Sequence, residues 1–406
     1  MLPKISKSHI ANSGEAFHLL HGWMGVMVAV MSMVLVSAMP SSVQAQTLDV
    51  IYSFHGRTDG SYPGSLVLHG ESLYGTTQYG GTHNGCGTVF KVDGNGHETI
   101  LYNFGASPSD GCVPNASIVF DASGNLYGTT LSGGNLACLG TIPGCGTVFK
   151  LDSHLRETVL HRFTPSGPDG FAPVFLTSDS KGNLYGAASG GGIYQYGVIF
   201  RMTTSGEESV LYSFTGGDDG GLPTAGLALD SQDTIYGTTT GGGKLLWGTV
   251  FKLTGHTETV LHNFAGFPSD GAEPSGVIGP DRSGDLFGTT QNGGAQNAGI
   301  FFKIDSEGHE TVLYHFGASA EAAFYPNGGL LQDSSGNIYG TTIEGGIGGG
   351  TIFKLTPTLE FTFYDLDPSV VQYPFAGVTM NAAGNLYGTT IQGGSGNTGT
   401  VFKFTP

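Results

Sequence analysis

The sequence predicts an all-β chain: a seven-bladed β-propeller with four-stranded antiparallel blades, its ring closed by the N-terminal strand completing the C-terminal blade. Three observations predict it. A tetrapeptide recurs seven times, each recurrence contains four short strand-like segments, and the two chain ends are complementary fractions of one repeat. The tetrapeptide opens on an aromatic residue at Tyr74, Tyr127, Tyr185, Tyr236, Phe287, Tyr339 and Tyr387, so successive starts lie 53, 58, 51, 51, 52 and 48 residues apart. It reads aromatic-Gly-Thr-Thr except in the third copy, which reads Tyr-Gly-Ala-Ala. A fixed period of this length is the signature of solenoids, propellers or arrays.

The second copy shows what one repeat contains. The apolar run Ala116-Ser-Ile-Val-Phe120 is followed by the turn formers Asp121-Ala-Ser-Gly-Asn125 and the second run Leu126-Tyr-Gly-Thr-Thr130. A Gly-rich loop reaches Gly146, and the runs Thr147-Val-Phe-Lys-Leu151 and Glu157-Thr-Val-Leu-His-Arg-Phe163 follow. Short β-branched or aromatic runs closed by Gly, Asp, Asn or Ser predict four strands. Apolar residues occupy both alternating faces, as in Leu66-Val-Leu68, which suits a blade sandwiched between two neighbours.

Recurrent polar positions have scaffold explanations. Asp121, Asp179, Asp230, Asp281 and Asp333 suit the tight turn between the first two strands. The third strand always ends in a cation: Lys91, Lys150, Arg201, Lys252, Lys303, Lys354 and Lys403. The fourth opens with Glu98, Glu157, Glu208, Glu258, Glu310 and Glu360. These charges are expected to face each other across a hairpin, a pairing worth about 0.2–1 kcal/mol. Their recurrence in every blade argues for a scaffold role, because a catalytic site occurs once.

Leu48-Asp-Val-Ile-Tyr-Ser-Phe54 matches the fourth strand of a repeat, and Gly399-Thr-Val-Phe-Lys403 matches the third, three residues before the chain ends. Joining them removes the open sheet edges that a linear array would leave. The Asn-Leu-Tyr-Gly-Thr-Thr, Gly-Gly and Gly-Thr-Val-Phe-Lys segments together resemble the bacterial GloVer (Gloeo/Verruco) tandem repeat, over essentially all of residues 48–405. The resemblance implies an exported protein and carries over no activity and no catalytic residues. Members of that family hold to the cell by varied C-terminal anchors, whereas this chain ends at Pro406 without such a segment.

Residues 1–45 read differently. Lys4 and Lys7 precede an apolar stretch from Gly22 to Met39, and Val43-Gln44-Ala45 offers small residues at a cleavage site before Gln46. This is the pattern of a signal peptide, and the location expected is secreted or periplasmic. An uncleaved N-terminal membrane anchor is the competing reading, since 18 apolar residues approach the ~20 that span a bilayer. Loss of residues 1–45 leaves 13 basic and 31 acidic residues, a net charge of −18. Seven of those cations are the one-per-blade Lys and Arg, so no basic patch remains for nucleic acid or an anionic membrane. Unbroken periodicity makes residues 46–406 a single domain, expected to be a monomer.

All four cysteines fall in the first two repeats. In a propeller the loop between strands two and three and the loop leading into the next blade emerge on the same face. That places Cys86 beside Cys112, while Cys138 and Cys145 bracket one loop, predicting the disulfides Cys86–Cys112 and Cys138–Cys145. Their spacing lacks the tight Cys-x-x-Cys pair of a zinc site. Phosphate-cradle, zinc-protease and nucleophile-elbow motifs are missing. His161 and His262 replace the fourth-strand tyrosine seen at Tyr102 and Tyr212 and read as packing variants.

Two functional classes follow. One is a non-enzymatic binding or surface-interaction module for a glycan or protein ligand. The other is a carbohydrate-active enzyme, a polysaccharide lyase or hydrolase with its site at the mouth of the central channel. Departures from the repeat mark the candidate ligand contacts: Tyr194 and Tyr196 in the third blade and Trp247 in the fourth, aromatics able to stack on a sugar ring. The loops leading into blades one to five carry Asp59, Asp110, Asp169, Asp219 and Asp270, each followed by Gly and, three residues later, Pro. Blades six and seven have Ala322 and Val370 instead. The aspartates are turn formers. They would also make an acidic arc near the channel mouth, able to hold Ca²⁺ through oxygen ligands.

Overall fold

A computed structural model describes residues 46–406 except 116, 320 and 321. The signal peptide or anchor expected over residues 1–45 lies outside the described residues. Among the described residues there is no helix, and so none long and apolar enough to cross a membrane. Seven antiparallel four-stranded sheets form a propeller. In the third blade the order from inside outward is Phe171–Ser178, Leu184–Gly190, Val198–Met202 and Glu208–Ser213. The fifth and sixth blades repeat this arrangement.

In the first and second blades the innermost strand breaks in two. Ser61–Pro63 and Val67–His69 share the partner Ser72–Tyr79, and Gly111–Pro114 and Val119–Phe120 share Leu126–Gly133. Of the single first run expected over residues 116–120, the described strand is Val119–Phe120. Pro63 and Pro114 end the first segment, but proline alone does not break the strand, since Pro173, Pro274 and Pro326 lie within unbroken inner strands. The ring closes as the chain ends predict. Thr47–Ser53 runs antiparallel to Thr400–Thr405, pairing Thr47 with Thr405 and Asp49 with Lys403.

The core lies between blades. Each of the seven seams has its own apolar cluster. Between blades two and three, for example, Val148 and Phe163 pack on Leu184, Val198 and Phe200. The recurrent tetrapeptide builds these seams. Its aromatic residue caps the Asp turn at Tyr127, Tyr185, Tyr236 and Tyr339, Tyr127 donating its hydroxyl to Asp121 Oδ2 at 2.9 Å. Its glycine receives the third-strand phenylalanine, so that a Cβ on Gly128 would stand 2.6 Å from Phe149 Cζ. Its first threonine donates to the inner strand of the next blade at Thr129, Thr341 and Thr389, with Thr389 Oγ1 lying 2.9 Å from the Gly64 carbonyl, whereas Thr76 and Thr238 are buried without a partner. Its second threonine bonds the third-strand threonine, Thr77 to Thr88 at 2.8 Å.

One expected pairing does not form. Lys91 lies opposite Thr99, and Glu98 opposite Val92, so cation and carboxylate are one residue out of register. In a strand one residue of offset means opposite faces. Lys91 turns toward the next blade and stands 5.9 Å from the Tyr74 ring centroid. Glu98 turns toward the preceding blade. The same offset recurs at Lys150 and Glu157 and at Lys252 and Glu258.

Candidate functional site

One face of the ring carries the loops between strands two and three and the loops leading into each blade. There every blade holds the residue before its inner proline in the left-handed backbone region. Tyr62, Val113, Ala172, Leu222, Glu273, Tyr325 and Tyr373 have φ between 53° and 58°. Side chains other than glycine lose about 1 kcal/mol or more in this conformation. The ring holds them by a backbone bond from the preceding blade. Val113 N–H donates to the Cys86 carbonyl at 2.9 Å, Ala172 N–H to Cys145 at 2.8 Å and Leu222 N–H to Tyr196 at 2.8 Å. The backbone is constant at these seven positions and the side chain is not.

The exposed large apolar side chains cluster here as well. Among the described residues all of them except Leu155, Leu359 and Phe375 belong to this face, including Ile193, Leu246, Phe267 and Ile347. The three aromatics singled out in the sequence are among them: Tyr194 is 54 % exposed, Tyr196 46 % and Trp247 47 %. Tyr196 and Trp247 occupy equivalent places, just before the third strand. Each lays a ring over a glycine of the next loop, Tyr196 on Gly216 and Trp247 on Gly266. One ring face is thereby fixed and the other is left to solvent.

Both predicted disulfides form. Cys86 and Cys112 join at a Cα separation of 4.6 Å, linking blade one to the inner strand of blade two, and Cys138 and Cys145 join at 5.0 Å. At the ring centre lies a cavity of about 260 Å³ lined by Gly64, Asn115, Phe175, Thr224, Ser275, Asn327 and Phe375, one from each blade. Among the described lining residues there is no carboxylate, imidazole, thiol or amine. Paired carboxylates for glycosidic chemistry are not found there.

The five candidate aspartates lie elsewhere. None lines the central cavity. Each sits in a separate blade-to-blade seam, bound to the outer strand of the preceding blade. The Asp110 Oδ2 accepts from the Tyr102 hydroxyl at 3.1 Å and from Gly105 N–H at 2.8 Å. Asp59 is bound likewise by Tyr52 and His55, and Asp219 by Tyr212 and Thr215. In two seams histidine takes the place of tyrosine. His161 Nε2 stands 2.9 Å from Asp169 Oδ2, and His262 Nε2 stands 3.2 Å from Asp270 Oδ2. Burial pushes the Asp59 carboxyl up, but the hydrogen bonds from His55 and Tyr52 outweigh it and hold the group below its usual range.

Sequence reasoning missed the partner of each aspartate. Glu98, Glu157, Glu208, Glu258 and Glu310 reach into the same five seams. One carboxyl oxygen of each is shut off from solvent without a hydrogen-bond partner. Burial, and then the facing aspartate, pushes Glu98, Glu157, Glu258 and Glu310 up to about 7. Glu208 is raised for the same reason, with His161 opposing. A signal existed within the chain. In the sixth blade, where Ala322 stands in place of the aspartate, Glu360 is exposed and Phe361 takes the glutamate's strand position opposite Leu355.

Comparison with known proteins agrees with this architecture. No curated protein matches the chain. Among solved structures, the extracellular domain of the BT4673 one component system from B. thetaiotaomicron aligns with a TM-score of 0.57 at 11 % identity, covering 87 % of this chain and 39 % of that one. The extracellular domain of the BT4673 hybrid two component system gives 0.56 at 11 %, covering 88 % and 39 %. This chain therefore spans well under half the length of either protein. A nidogen/laminin complex aligns with a TM-score of 0.42 at 19 % identity, covering 61 % of this chain and 83 % of that one. At 11 % identity the likeness to the two BT4673 domains concerns the fold alone. The model of the Gloeobacter/Verrucomicrobia repeat matches residues 137–347 and 247–406, and the chain belongs to that repeat family.

Proposed function

We propose that this protein is an exported, non-enzymatic binding module whose ligand docks on the loop-bearing face of the ring. The observation that carries the reading is the set of seven left-handed positions. A purely structural role would favour glycine at each, yet none is glycine, and the side chains differ from blade to blade. Val113 is buried, but the other six side chains are partly or fully exposed, and a fixed backbone displaying such varied side chains is the arrangement of a recognition surface. Tyr194, Tyr196 and Trp247 add solvent-facing rings on the same face, and a glycan is the ligand class that such rings suit. The uncharged lining of the central cavity, without carboxylate, imidazole, thiol or amine among its described residues, favours binding over hydrolysis or elimination. Export is supported by the apolar N-terminal segment and by two disulfides.

Screening the purified protein against a polysaccharide panel, for retention and for product release, tests this reading. Binding that falls about tenfold or more in Tyr196→Ala or Trp247→Ala, with no product released, is the expected result. Turnover of any polysaccharide would establish the enzyme reading instead. Binding indifferent to substitutions at Tyr194, Tyr196 and Trp247 would move the ligand off this face.

A further inference from the structure

The seam between blades four and five differs from its counterparts in one respect. His262 Nε2, a carboxylate oxygen of Asp270 and one of Glu310 lie within 4.8 Å of one another, and no other trio of such ligand atoms among the described residues is as compact. We propose that these three residues bind a single Zn²⁺-type ion that clamps blade four to blade five. His262 comes from the outer strand of blade four, Asp270 from the connecting loop and Glu310 from the outer strand of blade five. An ion held by all three would join two blades directly.

The ligand geometry suits such an ion. Zinc binds nitrogen and oxygen at about 2.0–2.2 Å in tetrahedral sites, which sets neighbouring ligand atoms about 3.3 Å apart. His262 Nε2 and Asp270 Oδ2 are 3.2 Å apart. Asp270 is positioned independently of the histidine, since Ala265 N–H donates to Oδ2 at 2.7 Å and Gly271 N–H to Oδ1 at 2.6 Å. Glu310 Oε1 is shut off from solvent and has no hydrogen-bond partner, a state that a cation would relieve. An imidazole beside two carboxylates favours a borderline ion over calcium, which prefers six or more oxygens.

The other seams act as controls built into the chain. Where tyrosine stands at the same place, as at Tyr102 and Tyr212, the phenol keeps its proton and donates it to the aspartate. Burial raises both phenols further. A neutral imidazole has a free lone pair and a buried phenol does not. At His161 the aspartate is also bound through its second oxygen by the Thr164 hydroxyl, at 3.2 Å, and the trio is not compact.

The test uses untagged protein stripped with a chelator, titrated with ZnCl₂ by calorimetry and followed by thermal melts, with Co²⁺ absorption as a direct probe of the ligands. One ion per chain, a Tm raised by several degrees and a tetrahedral Co²⁺ spectrum are expected. His262→Tyr installs the residue native to the equivalent seams and should fold normally while losing all three signals. Glu310→Gln should weaken binding at least tenfold, and His161→Tyr should leave it unchanged. Absence of stoichiometric binding overturns the proposal. So does binding that survives His262→Tyr, or an equal stabilisation by Ca²⁺ that survives it.

Discussion

Gly186 lies directly beneath the ring of Phe200, so close that a Cβ would stand 2.2 Å from Phe200 Cζ and 2.8 Å from the Phe175 carbonyl. The same glycine–phenylalanine contact recurs in all seven blades. It explains why the tetrapeptide never varies at its second position. Gly186→Ala should cost about 1–3 kcal/mol, the range for overpacking a dense core. Chemical denaturation would measure it, and combining it with Phe200→Leu should recover part of the loss. An undiminished midpoint in the single variant would show that the ring can move aside.

Ring closure makes the ends of the chain cooperative with the middle. Starting the chain at Phe54 deletes Thr47–Ser53 and exposes the edge of Thr400–Thr405. A melting curve should shift as a single transition to lower temperature. A curve that barely moves would mean that the seventh blade is dispensable.

The seam glutamates predict an acid-side stability maximum. Folding raises the Glu98, Glu157 and Glu258 carboxyls from 4.5 to about 7, so the folded state binds more protons within that window. Their contribution is complete below about pH 4.5 and is lost as pH rises through 7. Partial exposure of these carboxyls screens part of the effect. The melting temperature should therefore fall by several degrees between pH 5 and pH 8. Glu157→Gln should flatten that slope, and a slope that it leaves untouched would locate the pH dependence elsewhere.

The two disulfides should differ in worth. Cys86 and Cys112 are separated by 26 residues and Cys138 and Cys145 by 7, and loop-closure entropy makes the longer bridge the more stabilising, about 3.5 against about 2.4 kcal/mol. Cys112→Ser with Cys86→Ser should lower the denaturation midpoint more than the equivalent change at Cys138 and Cys145. Non-reducing peptide mapping checks the pairing itself, and a Cys86–Cys145 peptide would contradict it.

Much of this molecule was legible in its sequence. The period, the four strands per blade, the ring closure and both disulfides follow from short-range pattern and from the rule that antiparallel blades place alternate loops on one face. Turn chemistry and strand alternation act over a few residues, and seven copies make the pattern plain. The relation of Lys91 to Glu98 needed one further fact, the register of the outer hairpin, where a single residue of offset sends the two charges to opposite faces. The pairing of Asp110 with Glu157, and of Asp270 with His262 and Glu310, was decided only by tertiary structure. These residues are distant in sequence and meet because one blade packs on the next, and no local pattern encodes which side chains a seam will enclose. For the same reason His262, which reads as a packing variant in sequence, becomes a candidate ligand once blade five brings Glu310 against it.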